Sequence, residues 1–560
     1  MKKIGFVLAL SCMALPGFAV QPGQELFRFG SEGVGPAQMS GVKRVAVDPQ
    51  GLVYVADDEL DRIQGFDRDG VLQTVFYLGQ TIKSLAYDRG SLYVVANDKL
   101  FRYDPAAWTL LGEIQRPGYY QFLSVVPRPN GGVVALGSGG GTEIVLVDEG
   151  KILQTFREPA IRYLGTDPPS LADDGKGFLY VSETYDNHIH KIAIEDGRYI
   201  SHFGSEGDEA GQFSDDIVGM VIDSQGQIWV SDSEGLNVFA PDGRFLGRYG
   251  DVEGEGIAAA GDDLYIANYD HVVRYSMGSS DRVEKGAVVA DMSVGDRWKM
   301  AVDPDRKLRF PSEGTGLVGV DPRGFVYAAG PGAGPVTRFK MAGPGADDVA
   351  MDKPERARTG LAVDRAGVLY VVSDDRLFRY AADGKLLGEV KHPDGAGFFH
   401  VAPRPDYGVV ATWRNAERDD IVLVGRDGAV ETIHRNAVTG AVREPAGDVL
   451  VAMDGRRNLY AAVPKLHVVC VFDFDGEYQN RFGSEGEEPG QFSGRITGLV
   501  VDGQEKVYVS DGKRVSVFQS EDARFLSRRE IKASALAITD QDEVLVATGG
   551  EIADLSSIGW

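Results

Sequence analysis

The 560-residue sequence predicts an all-β chain built as two successive closed rings of small four-stranded antiparallel sheets, and three observations carry that expectation. The first is composition. With 72 Gly, 25 Pro and 22 Tyr among 43% hydrophobic residues, the chain favours short strands and tight turns over long helices. The second is a short repeat: Phe29 opens FGSEGVGPAQMSGVKRVAVDPQGLVYVADD, Phe203 opens FGSEGDEAGQFSDDIVGMVIDSQGQIWVSDS, and Phe482 opens FGSEGEEPGQFSGRITGLVVDGQEKVYVSDG. The third is a longer repeat. LFRYDPAAWTLLGEI from Leu100 returns as LFRYAADGKLLGEV from Leu377, and SVVPRPNGGVVAL from Ser124 returns as HVAPRPDYGVVAT from His400, a displacement of about 277 residues.

Taken in chain order, residues 1–19 have the charges Lys2 and Lys3, an apolar run, and the small-residue exit Gly17-Phe18-Ala19, the pattern of a secretory signal cleaved after Ala19. The mature protein is therefore expected to be exported, whether to a periplasm, a cell envelope or the outside. Cleavage leaves Cys470 as its one cysteine, so no intramolecular disulfide can form. Residues 20–278 form the first half. Each repeat has three or four apolar runs separated by Asp-Gly, Pro-Gln-Gly or Ser-Asp turns, which makes it a small antiparallel sheet.

A four-stranded sheet with two apolar faces is unstable alone, but several arranged radially bury one another's faces and leave only short edges. Roughly six copies fall in each half. The expectation is two tandem six-bladed β-propellers, each closed by an N-terminal strand. Glu25 to Gly30 should complete the sheet formed by Gly256 to Tyr275, and Lys307 to Phe310 the sheet formed by the C-terminal residues. Residues 279–306 are the inter-propeller segment and 307–560 the second propeller.

The order G-Q-F-S, then G-x-x-V-D, then Y/W-V-S/A-D, clearest at Gly211 to Gly250 and Gly490 to Leu526, resembles the NHL repeat of six-bladed β-propellers. In that resemblance the recurring Asp48, Asp223 and Asp502 serve turns and sheet packing. The third unit of each half, Phe122 to Phe156 and Phe398 to Ile433, has lost most of the signature. Proteins with this repeat include RNA-binding modules, protein-interaction platforms and peptide-amidating lyases, so the fold alone does not choose a function.

Charge narrows the choice. Lys plus Arg total 58 against 83 Asp plus Glu, a formal net charge of -25, which works against nucleic acid and anionic lipid as partners. No later stretch has the length of a transmembrane helix. Loops expected on one face carry Glu32, Asp57, Asp58, Glu183, Glu206, Asp208, Glu209, Asp215, Asp216, Asp232, Asp374, Asp375, Glu485, Glu487 and Glu488. This acidic rim is the candidate binding surface for a cationic protein partner, with calcium or another divalent ion as the alternative occupant.

No catalytic nucleophile motif and no cofactor motif is present. The resulting reading is an exported, non-enzymatic binding or scaffold protein. The alternative is a metal-dependent lactonase- or lyase-like propeller enzyme with a divalent ion in one central channel. Asn187-His188-Ile189-His190 places two imidazoles at alternate positions of a strand, yet Asn187 and His188 read more simply as turn residues. Trp108, Tyr119, Tyr120 and Trp413 suggest carbohydrate recognition only weakly, since aromatics in loops usually pack.

Overall fold

The computed structural model describes residues 25–556, apart from 278–307 and short stretches of which 116–119, 158–168, 310–315, 331–335, 341–345, 350–357, 393–396 and 415–418 are the longest. The signal with Ala19 and the segment 279–306 lie outside the described residues, as does Asp215. The strands form twelve separate four-stranded antiparallel sheets, six in each half.

In the first half, residues 42–77, 82–114, 121–157, 171–203 and 217–250 each fold into one blade in simple up-and-down order. The sixth blade takes three strands from 256–276 and its outer strand, Glu25–Phe29, from the start of the chain. Arg28 stands opposite Val273 and Phe29 opposite Val272 in that clasp. The innermost strand of each blade packs on those of its neighbours, and those of the first and sixth blades meet. The second half repeats the arrangement with blades at 317–349, 358–390, 397–435, 450–482 and 498–529, and a sixth at 535–554. Among the described residues, Leu308–Arg309 pairs there, with Leu308 opposite Ile552 and Arg309 opposite Glu551.

The core lies between blades rather than within them. At the first ring's closure, Phe29, Val42, Val53 and Phe66 pack against Ala258, Tyr265 and Val272, all buried. Two sequence motifs explain why the blades that begin at residues 42, 217 and 498 start alike. Where F-G-S-E-G runs to G-Q-F-S, the amide of Phe213 donates to Ser205 O at 2.9 Å and that of Gly207 returns to Phe213 O at 2.9 Å. The same pairs recur at Met39 and Phe492, and all three side chains are fully buried. The recurring Asp then closes the first turn. Asp502 accepts the amides of Gln504 and Lys506 at 3.0 and 2.7 Å, and its other oxygen takes the Tyr508 hydroxyl at 2.9 Å. Asp223 does likewise, with Trp229 Nε1 in place of the tyrosine at 2.9 Å.

The units whose signature had faded still make complete blades, 121–157 and 397–435. Their alternating apolar residues suffice without the capping motif. After the second of them comes a helix that no sequence feature announced, Ala437–Val442, which seats Val438 and Val442 in the core and donates the Thr439 amide to Asp419.

The two rings touch along one seam. The loop of residues 31–41 in the first ring sits on turns of the second: Val34 N donates to Gly503 O at 2.8 Å, Gln504 Nε2 to Glu32 O at 2.8 Å, and Gln38 Nε2 to Asp542 Oδ2 at 2.6 Å. Tyr77 donates its hydroxyl to Gly455 O at 2.8 Å. Glycine is required at 455 because a Cβ there would lie 1.7 Å from Val34 O. From inside the first ring, buried Arg62 holds the same loop by donating to Val34 O and Gln38 O, each at 2.8 Å.

Candidate functional site: the axial channel of the first ring

Each inner strand of the first ring presents apolar residues to the axis, and the six strands enclose a channel with two sections. Val45, Leu85, Val126, Leu171, Met220 and Ile257, one from each blade, line both sections. The wider section has a volume of about 290 Å³ and ends at Tyr87, Arg128 and Asp173. Arg128 Nε meets Asp173 Oδ2 at 3.1 Å, which neutralises the charge at that end.

The narrow section, about 80 Å³, ends among Arg44, Lys83, Ser84, Ser124 and Ser170, with Gly219 and Gly256 completing the wall. Arg44 is braced across the opening by donating to Lys83 O at 2.8 Å and Glu255 O at 3.1 Å. Ser84 Oγ is engaged by the main chain of Val125. Ser124 Oγ is buried without a partner. This mouth gathers cationic and hydroxyl groups in a chain whose net charge is -25; of these groups, Lys83 meets Asp98 at 2.7 Å and Ser170 donates to Val218 O at 3.2 Å.

Asp58 lies near the same mouth. Burial pushes its carboxyl up to about 6, with Arg44 and Lys43 pulling the other way. Its Oδ1 is a buried atom with no hydrogen-bond partner. A folded-state value above the unfolded one means the folded chain holds the proton more tightly, so Asp58 costs stability as pH rises from about 4 through about 6. Asp58→Asn removes that cost. The melting temperature of the variant relative to the parent is expected to be higher at pH 7.5 than at pH 4.5; an equal difference at both values would count against the burial of Asp58.

The corresponding space in the second ring is about 90 Å³, and Gly35 and Pro36 of the first ring form part of its lining. The inter-ring loop thus covers that mouth. Carboxylates stand around it, but they are engaged: Asp364 accepts amides of its own turn, Asp454 accepts Asn458 and Tyr460, and Asp540 pairs with Arg365 at 3.0 Å. On an inner strand, His400 is desolvated, which pushes its imidazole down to about 4, and neutral Nδ1 accepts the Val451 amide at 3.2 Å.

The acidic residues divide into two groups. Asp57, Glu183 and Asp232 are buried and paired rather than displayed on a rim. Asp57 accepts the Ser40 amide and meets Arg62 at 3.1 Å; Asp232 accepts the Ser214 amide and meets Arg248 at 3.1 Å; Glu183 Oε2 lies 3.0 Å from His190 Nε2. The cause is repeat geometry. An Asp ending the second strand faces the amide of the G-Q-F-S serine, and a cationic or amide side chain from the later strands completes the pair. Asp58 is half-buried. Glu32, Glu206, Asp208, Glu209, Asp216, Asp374, Asp375, Glu485, Glu487 and Glu488 are exposed.

Among the described residues, no three His, Cys, Asp or Glu side chains converge as ligands on one point. The histidines do not gather on an axis. His188 opens a strand instead of closing a turn, and Asn187 alone takes the left-handed turn conformation, at φ 48°. Strand pairing then sets His202 opposite His190, a neighbour that sequence distance hides. Of the aromatics, Trp413 is fully buried and stacks on His392 at 4.0 Å, Tyr120 is buried, and Trp108 stacks on Phe76 at 4.6 Å. Their work is packing. Cys470 is buried and free.

No family model matches the chain, and no curated protein matches it. Among solved structures, it is similar to a gluconolactonase of Xanthomonas campestris at 18% identity and TM-score 0.36, covering 47% of this chain and 99% of that one. It is also similar to regucalcin, a calcium-binding protein of Agrobacterium tumefaciens, at 20% identity and TM-score 0.35, covering 46% and 96%. A domain assigned to the extracellular part of a one-component system of B. thetaiotaomicron aligns over 96% of this chain and 82% of its own, at 10% identity and TM-score 0.32. At these identities the likeness is of fold alone. No helix among the described residues is long and apolar enough to cross a membrane.

Proposed function

We propose that this chain is an exported binding protein in which the first ring's channel receives a small ligand with an apolar body and one hydrogen-bond-accepting end. The single observation that carries the reading is the channel itself: about 290 Å³ of space between six apolar strands, leading to a narrow end lined by Arg44, Lys83 and serine hydroxyls. Apolar pockets with a few convergent polar groups are the usual form of a small-molecule site. Export with cleavage after Ala19, propellers at 20–278 and 307–560, and blades of the NHL type belong to the same proposal, supported by the leading residues and the repeated motifs. The exposed carboxylates, Glu206 to Glu209 and Glu485 to Glu488 foremost, are the face it would offer a cationic protein partner.

The second reading is a metal-dependent propeller enzyme, and the names of the fold neighbours, gluconolactonase and calcium-binding regucalcin, stand nearer to it than to rim docking. Calcium takes six to eight oxygen ligands. The first channel's shared wall is Val45, Leu85, Val126, Leu171, Met220 and Ile257, and Asp173 at its wide end is tied to Arg128, so the described channel residues do not fit such an ion.

An anilinonaphthalene sulfonate, with an apolar body and an anionic end, separates the two readings. Saturable binding to the full chain is expected, lost in Met220→Trp and retained after calcium is chelated. Probe binding that survives Met220→Trp, or lactone hydrolysis that requires calcium, would reject the binding reading. Circular dichroism of the variant checks that the blade still folds.

A further inference from the structure

The fourth blade holds a cluster outside both channels. His188 and His190 are two apart on the strand His188–Ala193, so both point to one face of the sheet. Strand register adds Glu183 opposite His188, and His202 opposite His190. The ring centroids lie 4.7 Å apart for His188 and His202, 6.1 Å for His190 and His202, and 6.4 Å for His188 and His190. Imidazoles that share one tetrahedral ion at Zn–N distances of ~2.0–2.1 Å have centroids about 5 Å apart, so the His188–His202 spacing already matches and both rings lie about 1 Å too far from His190.

A second feature points to a ligand. His190 Nε2 meets Glu183 Oε2 at 3.0 Å, and both side chains are buried. An ionised carboxylate only accepts, so it fixes the proton on Nε2 and leaves a lone pair on Nδ1. That Nδ1 is buried and has no hydrogen-bond partner. A carboxylate that orients a histidine so that its other nitrogen is basic is the outer-shell arrangement of metal-binding histidines. Tyr199 plays a similar part for His202, with its hydroxyl 2.5 Å from Nδ1; accepting the Nδ1 proton leaves Nε2 for an ion.

We propose that His188, His190 and His202 form a site for a divalent transition metal of the zinc class, with Glu183 as the positioning residue for His190. The rings of His188 and His202 are tilted by 51° to each other, and that of His188 stands edge-on to His190 at 84°. His202 is exposed and His188 half-buried, so two of the three ligands can turn to meet an ion bound at His190. Three nitrogen donors suit zinc, nickel or copper over calcium or magnesium. The corresponding positions of the first blade, Arg62 and Gln64, are filled by side chains that hold a loop, so the histidines are particular to this blade.

Zinc chloride alone, titrated into metal-stripped full-length protein, tests this. About one equivalent should bind. Exposed His202→Ala should lose most of that binding, and Glu183→Gln should weaken it ~10–100-fold, as outer-shell changes do. Cobalt in place of zinc should give a visible absorption band in the parent that His202→Ala lacks. Absence of near-stoichiometric zinc, or binding and a cobalt band unchanged in His202→Ala, would overturn the proposal. Far-ultraviolet circular dichroism of both variants separates lost ligation from lost folding; should Glu183→Gln unfold, His202→Ala and His188→Ala still decide the matter.

Discussion

Deletion of the clasp strand Glu25–Phe29 is expected to unfold the first ring while the second keeps its transition. Without it the sixth blade has three strands and an open edge, and the closure core loses Phe29, which is 1% exposed and packs on Phe66 at 4.9 Å. Truncating one buried Phe to Ala alone costs about 3–5 kcal/mol. A domain's whole stability is about 5–15 kcal/mol, so loss of the entire strand brings the ring to or below its threshold. The milder Phe29→Ala should lower one calorimetric transition of the full chain by on the order of 10 °C and leave the other in place. Two transitions falling together, or neither moving, would show that the clasp does not close a separate ring.

The second large effect is expected at Arg62. Its guanidinium is fully buried, lies 3.1 Å from Asp57, and donates to the two carbonyls that shape the inter-ring loop. Arg62→Ala leaves the Asp57 carboxylate buried without its cation, a change that costs about 3–5 kcal/mol. Burial already pushes Asp57 up, and Arg62 opposes the shift. Without Arg62 the folded-state value rises further, so the variant's deficit should shrink as pH falls and Asp57 takes a proton. Replacing both partners, Asp57→Asn with Arg62→Met, should recover part of the loss. A chemical-denaturation cycle over the four proteins measures this coupling; additive losses at neutral pH would contradict a shared buried pair.

These two positions show what sequence reading reaches. Closure by Glu25 to Gly30 was readable because its partner strands arrive at Gly256 to Tyr275 with no fourth strand of their own. The turn role of Asp48, Asp223 and Asp502 came with the NHL resemblance, in which the same residue recurs at the same step of the three clearest repeats. Burial of Asp57 and Asp232 was not, since an Asp at a strand end looks like a solvated loop acid until the serine amide and the basic partner are placed around it. The spacing of Asp57 and Arg62, facing each other across one turn, was the signal available. Gly455 and Gly503 read as ordinary turn glycines, and only contact between rings reveals why a side chain is excluded there. The channel was hidden because Val45 or Met220 has the same apolar character as the inner-strand residues packed between blades. His202 joined His190 through register alone.

The most direct test of the account is diffraction from crystals soaked with a brominated aryl carboxylate, read by anomalous scattering. One bromine is expected on the axis of the first ring, within reach of Val45 and Met220, and none beneath Gly35 and Pro36 in the second. Bromine in the second ring's channel, or only on the outer faces of the blades, would contradict it.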